Sequence, residues 1–101
     1  FLFTSGQIGI DPKSGDLITD TIENETKQVM ANLKAVLNEA EMDFSNVIKA
    51  TIFIADMEDF GKINEIYASY FNEKTAPARE TVEVANLPRY ANIEISVIAA
   101  K

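Results

Sequence analysis

Two side chains near the C-terminal end of the chain could do chemistry, an arginine and a glutamate. Arg79 opens one predicted strand, and Glu94 lies inside the next strand between two isoleucines. A guanidinium matches a carboxylate bidentately and keeps its charge, so Arg79 could hold a small anion. The Glu94 carboxylate could orient or activate a water molecule. The structural alternatives are an ion pair of Arg79 with a nearby glutamate or another subunit, and a pair of Glu94 with a lysine across the sheet.

Three weaker candidates could contact a ligand. Ser5 and Gly6 follow a predicted strand and could present a hydroxyl and a bare backbone, although such a pair more often forms only a turn or bulge. Asn64 lies beside the apolar stripe of a predicted helix, where an amide usually makes a local hydrogen bond.

The composition removes the more familiar kinds of active site. The chain has 101 residues and contains no histidine, cysteine or tryptophan, so disulfides, cysteine nucleophiles and transition-metal sites are not expected. There is no phosphate-binding loop or dinucleotide fingerprint, and we expect no cofactor. The absence of cysteine suits a reducing compartment, so we expect a cytoplasmic protein.

The charge and hydropathy of the chain bear on its partners. The formal net charge is −7, from 16 acidic and 9 basic side chains with no basic cluster, which argues against nucleic acid as a partner. No apolar run approaches the roughly 18 residues of a membrane span, so no membrane association is expected.

The spacing of apolar residues predicts two helices. Apolar residues recur every three to four positions over residues 21–41, with Asp20 and Glu23 placed as a capping box. A second helix is predicted over residues 57–71. Residues 47–55 are rich in β-branched side chains and predict an interior strand.

The remaining strands lie at the two ends of the chain. Residues 1–5 and 7–10 predict strand segments, and a Pro- and Gly-containing turn at residues 11–16 predicts a hairpin that returns through residues 17–19. The last two strands are predicted at residues 79–85 and 91–100.

These elements predict one α/β (α+β) domain over residues 1–101. The strand–helix–strand order across residues 47–85 requires a parallel crossover, and the last two strands are predicted to pair as an antiparallel hairpin. The result is a mixed β-sheet with two helices on one face. Alternation then places Arg79 and Glu94 on the same face of adjacent strands.

The face without helices mixes polar and apolar side chains. Such a mixture is expected of a surface that is shared with a second subunit, which predicts a closed homo-oligomer. A solvated antiparallel face explains the same pattern equally well.

Three segments of the chain, in this order, carry a family likeness. They are S-G-Q-I-G-I-D-P-K at residues 5–13, A-D-M-x-D-F-x-x-I-N-x-x-Y at residues 55–67, and P-A-R-x-x-V-E-V-x-x-L-P at residues 77–88 followed by I-E-I at residues 93–95. Together they closely resemble the RidA family of reactive-intermediate deaminases.

This resemblance implies a chorismate-mutase-like fold and a homotrimer whose sheets face a central axis. It also implies a cofactor-free site in each cleft between subunits, where 2-aminoacrylate and related enamine or imine carboxylates are hydrolysed to 2-keto acids and ammonia. The family's N-terminal strand segment is then expected upstream of residue 1.

The resemblance also assigns roles to residues. It implies that Arg79 clamps the substrate carboxylate and that Glu94 positions the hydrolytic water. Ser5, Gly6 and Asn64 fall on ligand-lining positions, as does Thr81, where many members carry a cysteine. Two other functions remain open. One is a non-enzymatic module that binds small carboxylates. The other is an endoribonuclease or translation inhibitor, although the acidic net charge argues against it.

Overall fold

A four-stranded mixed sheet forms the centre of the computed structural model, which describes residues 1–101. The elements are β1 (Leu2–Phe3), α1 (Ile22–Glu39), β2 (Val47–Ile54), α2 (Phe60–Ala68), β3 (Ala78–Glu83) and β4 (Ile93–Ala99). The strand order is β1-β4-β2-β3. β4 runs antiparallel to β1 and β2, whereas β2 and β3 are parallel. The predicted fold class, a mixed sheet with two helices, is confirmed.

The two helices cover one face of this sheet. Val29, Met30, Leu33 and Leu37 lie on one side of α1 at the spacing of an amphipathic helix, and none of them is exposed. α1 also packs against α2 and β4. α2 is shorter than predicted because residues 57–59 form a separate short 3-10 turn and the helix ends at Ala68. Neither helix is long and apolar enough to cross a membrane.

The start of α1 differs by one residue from the prediction. Thr21 has extended backbone angles, and its side chain accepts the backbone N–H of Asn24 at 3.0 Å, so Thr21 is the N-cap. The predicted cap, Asp20, instead accepts the side-chain amide of Asn24 at 2.9 Å. That hydrogen bond lowers the pKa of Asp20.

The last two strands do not pair with each other, so the predicted terminal hairpin is wrong. β2 lies between β3 and β4, because the parallel crossover places β3 on the outer edge of β2 and the chain then returns to the other side. The returning loop contains Arg89 and Tyr90 with left-handed backbone angles (φ 57° and 54°).

This strand order separates the two candidate residues. Arg79 pairs with the buried Ala50 and therefore points to the helix side of the sheet, whereas Glu94 pairs with Phe53 on the opposite face. The prediction that Arg79 and Glu94 share a face of adjacent strands is therefore wrong. Side chains do alternate strictly along β3 and along β4, but the position of β2 between these two strands was not predicted.

The helix-free face is partly apolar in the single chain. By register it carries Phe3, Lys49, Thr51, Phe53, Glu80, Val82, Glu94, Ser96 and Ile98. Phe3 is 70% exposed and Val82 is 46% exposed. Lys49 pairs with Glu80 at 3.1 Å across β2 and β3.

The N-terminal segment, defined here as residues 4–10, has less regular structure than predicted. Gln7 pairs with Ile95 of β4, and Ile10 pairs with Leu17, each as an isolated bridge. The second bridge closes the predicted hairpin, and Gly15 in its turn has a φ of 76°, which a glycine adopts without strain.

Replacing Thr21 by Ala should lower the free energy of unfolding by about 1 kcal/mol, because the Asn24 N–H loses its cap. Asp20→Ala should cost less, since the backbone cap remains, and its effect should disappear as the pH falls through the lowered pKa of Asp20. Urea denaturation of both variants measures the difference. A larger loss in Asp20→Ala would identify Asp20 as the cap.

Candidate active site

Arg79 lies on the edge strand β3 with its guanidinium above α2. It donates a hydrogen bond to the side-chain oxygen of Asn64. Its guanidinium carbon is 5.5 Å from the ring centre of Phe60 and 5.5 Å from that of Tyr67. A cation at this distance from two aromatic rings is attracted by both. Helix and strand together therefore fix the direction of the Arg79 side chain.

No carboxylate of the chain forms an ion pair with Arg79. Glu80 pairs with Lys49 on the other face of the sheet. Glu83 accepts the backbone N–H of Met57 at 2.7 Å. The within-chain ion pair that was the structural alternative for Arg79 is therefore wrong, and an exposed arginine remains open to an external anion on a protein of net charge −7.

A cleft of about 700 Å³ opens beside Arg79. Its walls come from the end of α2 and from the segment that leads into β3, and they include Asn64, Tyr67, Phe71, Pro77 and Arg79. Two charged residues line the cleft, Arg79 and Glu73. An arginine beside aromatic walls suits a small organic anion that has an apolar part.

Two hydroxyl groups on the helix side of the sheet have no hydrogen-bond partner within the chain. They are those of Tyr67, which is only 5% exposed, and of Thr81, two residues beyond Arg79 on the same face. Burial raises the pKa of the Tyr67 phenol, and the nearby Arg79 charge opposes that shift. The sequence indicated Tyr67 only as a core residue of the second helix.

Glu94 lies on the opposite face with the N-terminal segment beside it. A methyl group added at Gly6 would lie 2.6 Å from the carboxyl carbon of Glu94, so the bare backbone of Gly6 contacts this carboxylate. No lysine pairs with Glu94, because the one lysine of the neighbouring strand, Lys49, is bound to Glu80. The predicted lysine alternative for Glu94 is wrong within the chain.

Ser5 and Gly6 lie between two points at which the N-terminal segment is attached to β4. On one side the Thr4 N–H donates to the Val97 carbonyl at 3.0 Å, and on the other Gln7 and Ile95 exchange backbone hydrogen bonds of 2.8 and 3.0 Å. Ser5 is exposed. The geometry thus brings Gly6 next to Glu94, with the exposed Ser5 as its chain neighbour. The Ser5 carbonyl accepts the side-chain amide of Gln7 at 3.3 Å.

The candidate residues therefore form two groups in one chain. Arg79, Asn64 and Thr81 belong to the helix side at the edge of the sheet, and Glu94 and Gly6 belong to the helix-free face. The two groups cannot act on one small molecule within a single chain. No cluster of three or more histidine, cysteine, aspartate or glutamate residues could hold a metal ion.

One polar contact near this site was not found from the sequence. The buried Glu25 of α1 accepts hydrogen bonds from Asn92, which directly precedes β4. A signal was available, because Glu25 falls between Ile22 and Val29 on the apolar stripe of α1, where a charge is out of place.

Replacing Tyr67 by Phe removes a buried hydroxyl without a partner in the chain, so the free energy of unfolding should rise by about 1 kcal/mol at neutral pH. The pKa of Tyr67 in the folded protein lies above the ordinary tyrosine value of 10.0, so the wild type loses stability as the pH rises past that value, and the variant does not. Urea denaturation at neutral and alkaline pH measures both effects. The control is the exposed Tyr90→Phe, and a loss of stability in Tyr67→Phe would contradict an unpartnered hydroxyl.

Comparison with known sequences finds relatives that match the chain over nearly its whole length. The family model described as Endoribonuclease L-PSP matches residues 1–101. A RutC family protein of Pyrococcus horikoshii is 50% identical over 101 residues, which are 100% of this chain and 79% of that protein. The 2-iminobutanoate/2-iminopropanoate deaminase of Mus musculus is 46% identical over 100 residues, 99% of this chain and 73% of the mouse protein.

Solved structures share the fold over nearly the whole chain. A member of the conserved Rid protein family from Yersinia pestis, YyfA, has a TM-score of 0.94 at 45% identity, covering 98% of this chain and 79% of that one. E. coli TdcF with bound serine has a TM-score of 0.90 at 39% identity, covering 98% and 79%. With a family match over every residue and relatives of this similarity, the chain belongs to the endoribonuclease L-PSP family, which includes the YjgF and RidA proteins.

Proposed function

We propose that this protein is a cofactor-free deaminase that hydrolyses enamine and imine carboxylates, such as 2-aminoacrylate and its imine tautomer, to 2-keto acids and ammonia. The observation that carries the proposal is Arg79, an exposed guanidinium fixed by Asn64 and two aromatic rings at a cleft, with no carboxylate partner in the chain. The names of the mouse, rat, human and bovine relatives support it, since each is a 2-iminobutanoate/2-iminopropanoate deaminase.

The proposed reaction requires only a group that binds the substrate carboxylate and a group that transfers protons. Arg79 binds the carboxylate of the substrate, and Asn64 holds the guanidinium in place. Glu94 accepts a proton from water as the water oxygen attacks the carbon of the C=N bond. Glu94 returns this proton to the nitrogen of the resulting carbinolamine. It then takes the hydroxyl proton as the C–N bond breaks, which leaves the 2-keto acid, and the proton departs with the released ammonia as ammonium. An iminium is already electrophilic, so orientation and charge placement supply most of the catalysis.

The proposal requires two copies of the chain at each site. Arg79 and Glu94 lie on opposite faces of one sheet, so one copy provides Arg79, Asn64 and Thr81, and its neighbour provides Glu94 with Ser5 and Gly6. The exposed apolar side chains of the helix-free face support an interface there. We propose a cytoplasmic homotrimer, a closed ring in which each copy gives one surface to each of its two neighbours.

Two other functions have some support. E. coli TdcF is a relative with serine bound. This favours a module that binds small carboxylates without turnover, in which Arg79 of this chain would hold the carboxylate. The family description as an endoribonuclease favours RNA cleavage, which the net charge of −7 opposes. The binding module predicts affinity without turnover, and the nuclease predicts RNA cleavage that is lost in a single active-site variant.

In an assay coupled to serine or threonine dehydratase, the wild type should accelerate the decay of the released imine. Arg79→Ala should lose about 2–4 kcal/mol of transition-state stabilisation in kcat/KM, because the carboxylate loses its bidentate partner. Arg79→Lys should retain part of this transition-state stabilisation, since lysine keeps the positive charge but lacks the two parallel N–H donors of the guanidinium. Imine decay no faster than in buffer, or full activity in Arg79→Ala, would contradict the proposal.

The shared site is tested by mixing two inactive variants. Glu94→Gln alone should lower kcat by about a hundredfold or more, because the general base is lost. Assemblies formed from equal amounts of Arg79→Ala and Glu94→Gln chains should recover activity at about a quarter of their sites, where the two intact surfaces meet. A site within one chain recovers nothing on mixing. Light scattering of the same samples gives the oligomeric state.

Replacing Gly6 by Ala should reduce activity while leaving the fold intact. The added methyl lies 2.6 Å from the Glu94 carboxyl carbon, and this flexible side chain end can move aside, so Glu94 is displaced. We expect kcat to fall by about tenfold or more, with little change in the thermal midpoint. Gly61→Ala is the matched control, since nothing lies within 4 Å of its added methyl. Unchanged kcat in Gly6→Ala would remove Glu94 from the reaction.

A further inference from the structure

The most unusual polar contact of the chain lies outside the proposed site. Glu25 on α1 is fully buried, and its two carboxylate oxygens accept hydrogen bonds from the backbone N–H and the side-chain amide of Asn92, each at 2.8 Å. No lysine or arginine pairs with Glu25. Both oxygens act as acceptors, as in an ionised carboxylate.

Joining a helix to a loop through a buried carboxylate that has no cationic partner costs folding free energy. Desolvating the charge costs several kcal/mol in general, and an apolar pair of similar volume would usually be at least as stable. What the carboxylate supplies instead is geometry, because two charge-assisted hydrogen bonds to one residue fix both its backbone and its side chain. The Asn92 carbonyl is also bound, by the Ala55 N–H at 3.0 Å.

The fixed residue lies at the start of β4, two residues before Glu94. Glu25 also contacts the N-terminal segment, because a methyl added at Gly9 would lie 3.0 Å from the Glu25 carbonyl oxygen and 3.1 Å from its Cγ. That segment carries Gly6 against the Glu94 carboxylate. Glu25 therefore contacts both pieces of chain that border Glu94.

A second polar residue of α1 continues this attachment. The side-chain amide of Asn32, two turns beyond Glu25, donates to the carbonyls of Ile8 and Ile10 at 3.0 and 2.9 Å, on either side of Gly9. The N-terminal segment is thus held to α1 at three consecutive residues. Together with the backbone bridge between Gln7 and Ile95, this attachment sets the level at which Gly6 meets Glu94.

We propose that Glu25 is a positioning residue for Glu94, acting through Asn92 and Gly9 to hold the start of β4 and the N-terminal segment in register. The inference rests on the proposed function, because it assigns the water-orienting role to Glu94. It predicts that disturbing Glu25 lowers kcat and leaves the binding of the substrate carboxylate at Arg79 unchanged.

The first test exchanges the two hydrogen-bonding partners. In Asn92→Asp two carboxylates face each other, whereas in Glu25→Gln the Asn92 amide can turn so that its oxygen accepts the new N–H. Asn92→Asp should therefore lower kcat by about ten- to a hundredfold with KM changed less than about twofold, and Glu25→Gln should lower kcat less. In the double variant Glu25→Gln/Asn92→Asp, the glutamine donates to the new carboxylate and accepts the backbone N–H, so kcat should return to near the wild-type value.

The matched control is at the other end of β4. The Asn46 amide donates to the Ala100 carbonyl at 3.2 Å, so Asn46→Ala also releases an anchor of this strand but far from Glu94. This variant should lose stability and keep kcat. If Asn92→Asp does not fold, Asn92→Ala, which keeps the backbone hydrogen bond to Glu25, provides the same comparison. Wild-type kcat in Asn92→Asp or in Asn92→Ala, or an equal loss in Asn46→Ala, would overturn the positioning role.

A readout independent of turnover separates this inference from the proposed function. Amide hydrogen exchange at residues 6–9 and 93–95 should be faster in Asn92→Asp and restored in the double variant. Exchange that is unchanged at these residues overturns the inference whatever the enzyme does. An inactive wild type whose exchange follows this pattern rejects the deaminase proposal, and with it a role for Glu25 in catalysis.

Discussion

The alternation of side chains along β2 is the constraint on which the rest of the structure depends. On its helix side Ala50, Ile52 and Ile54 are almost completely buried, and a shift of one residue in register would turn all three to the opposite face. β3 and β4 both take their register from β2, on its two sides. Arg79 and Glu94 therefore point away from each other as a direct result of core formation, and no local change could bring them together in one chain.

α1 is the second organiser, because it gives shape to chain segments that have little structure of their own. The N-terminal segment makes only a few backbone hydrogen bonds to β4, and the loop before β4 is irregular. Polar side chains of α1, Glu25 and Asn32, supply further attachments for both. The apolar residues beside them fix the distance of α1 from the sheet. α1 therefore helps to position the chain segments that border Glu94, although it lies on the opposite face of the sheet.

Much of this arrangement could be predicted from the sequence, because it follows from periodicity. The two helices, the interior strand at residues 47–55 and its parallel crossover to β3 were predicted and are confirmed. The position of β4 in the sheet was not predicted. The pattern of a strand shows which of its side chains share a face, but it does not show which strand is its neighbour. Glu25 and Asn92 are 67 residues apart, and their contact depends on the packing of α1 over the sheet, to which no local pattern points. The shift from Asp20 to Thr21 as the cap is a smaller case, because both residue types are good caps and only backbone angles distinguish them.

The setting of Arg79 has an entropic consequence. A free arginine side chain has about 2 kcal/mol of rotamer entropy to lose when it is immobilised by a ligand. Here the hydrogen bond to Asn64 and the rings of Phe60 and Tyr67 already restrict the guanidinium, so most of that loss takes place during folding. An anion that bound here would therefore lose less affinity to the ordering of this side chain. A small ligand with few atoms benefits most, because it has little other surface with which to compensate an ordering cost.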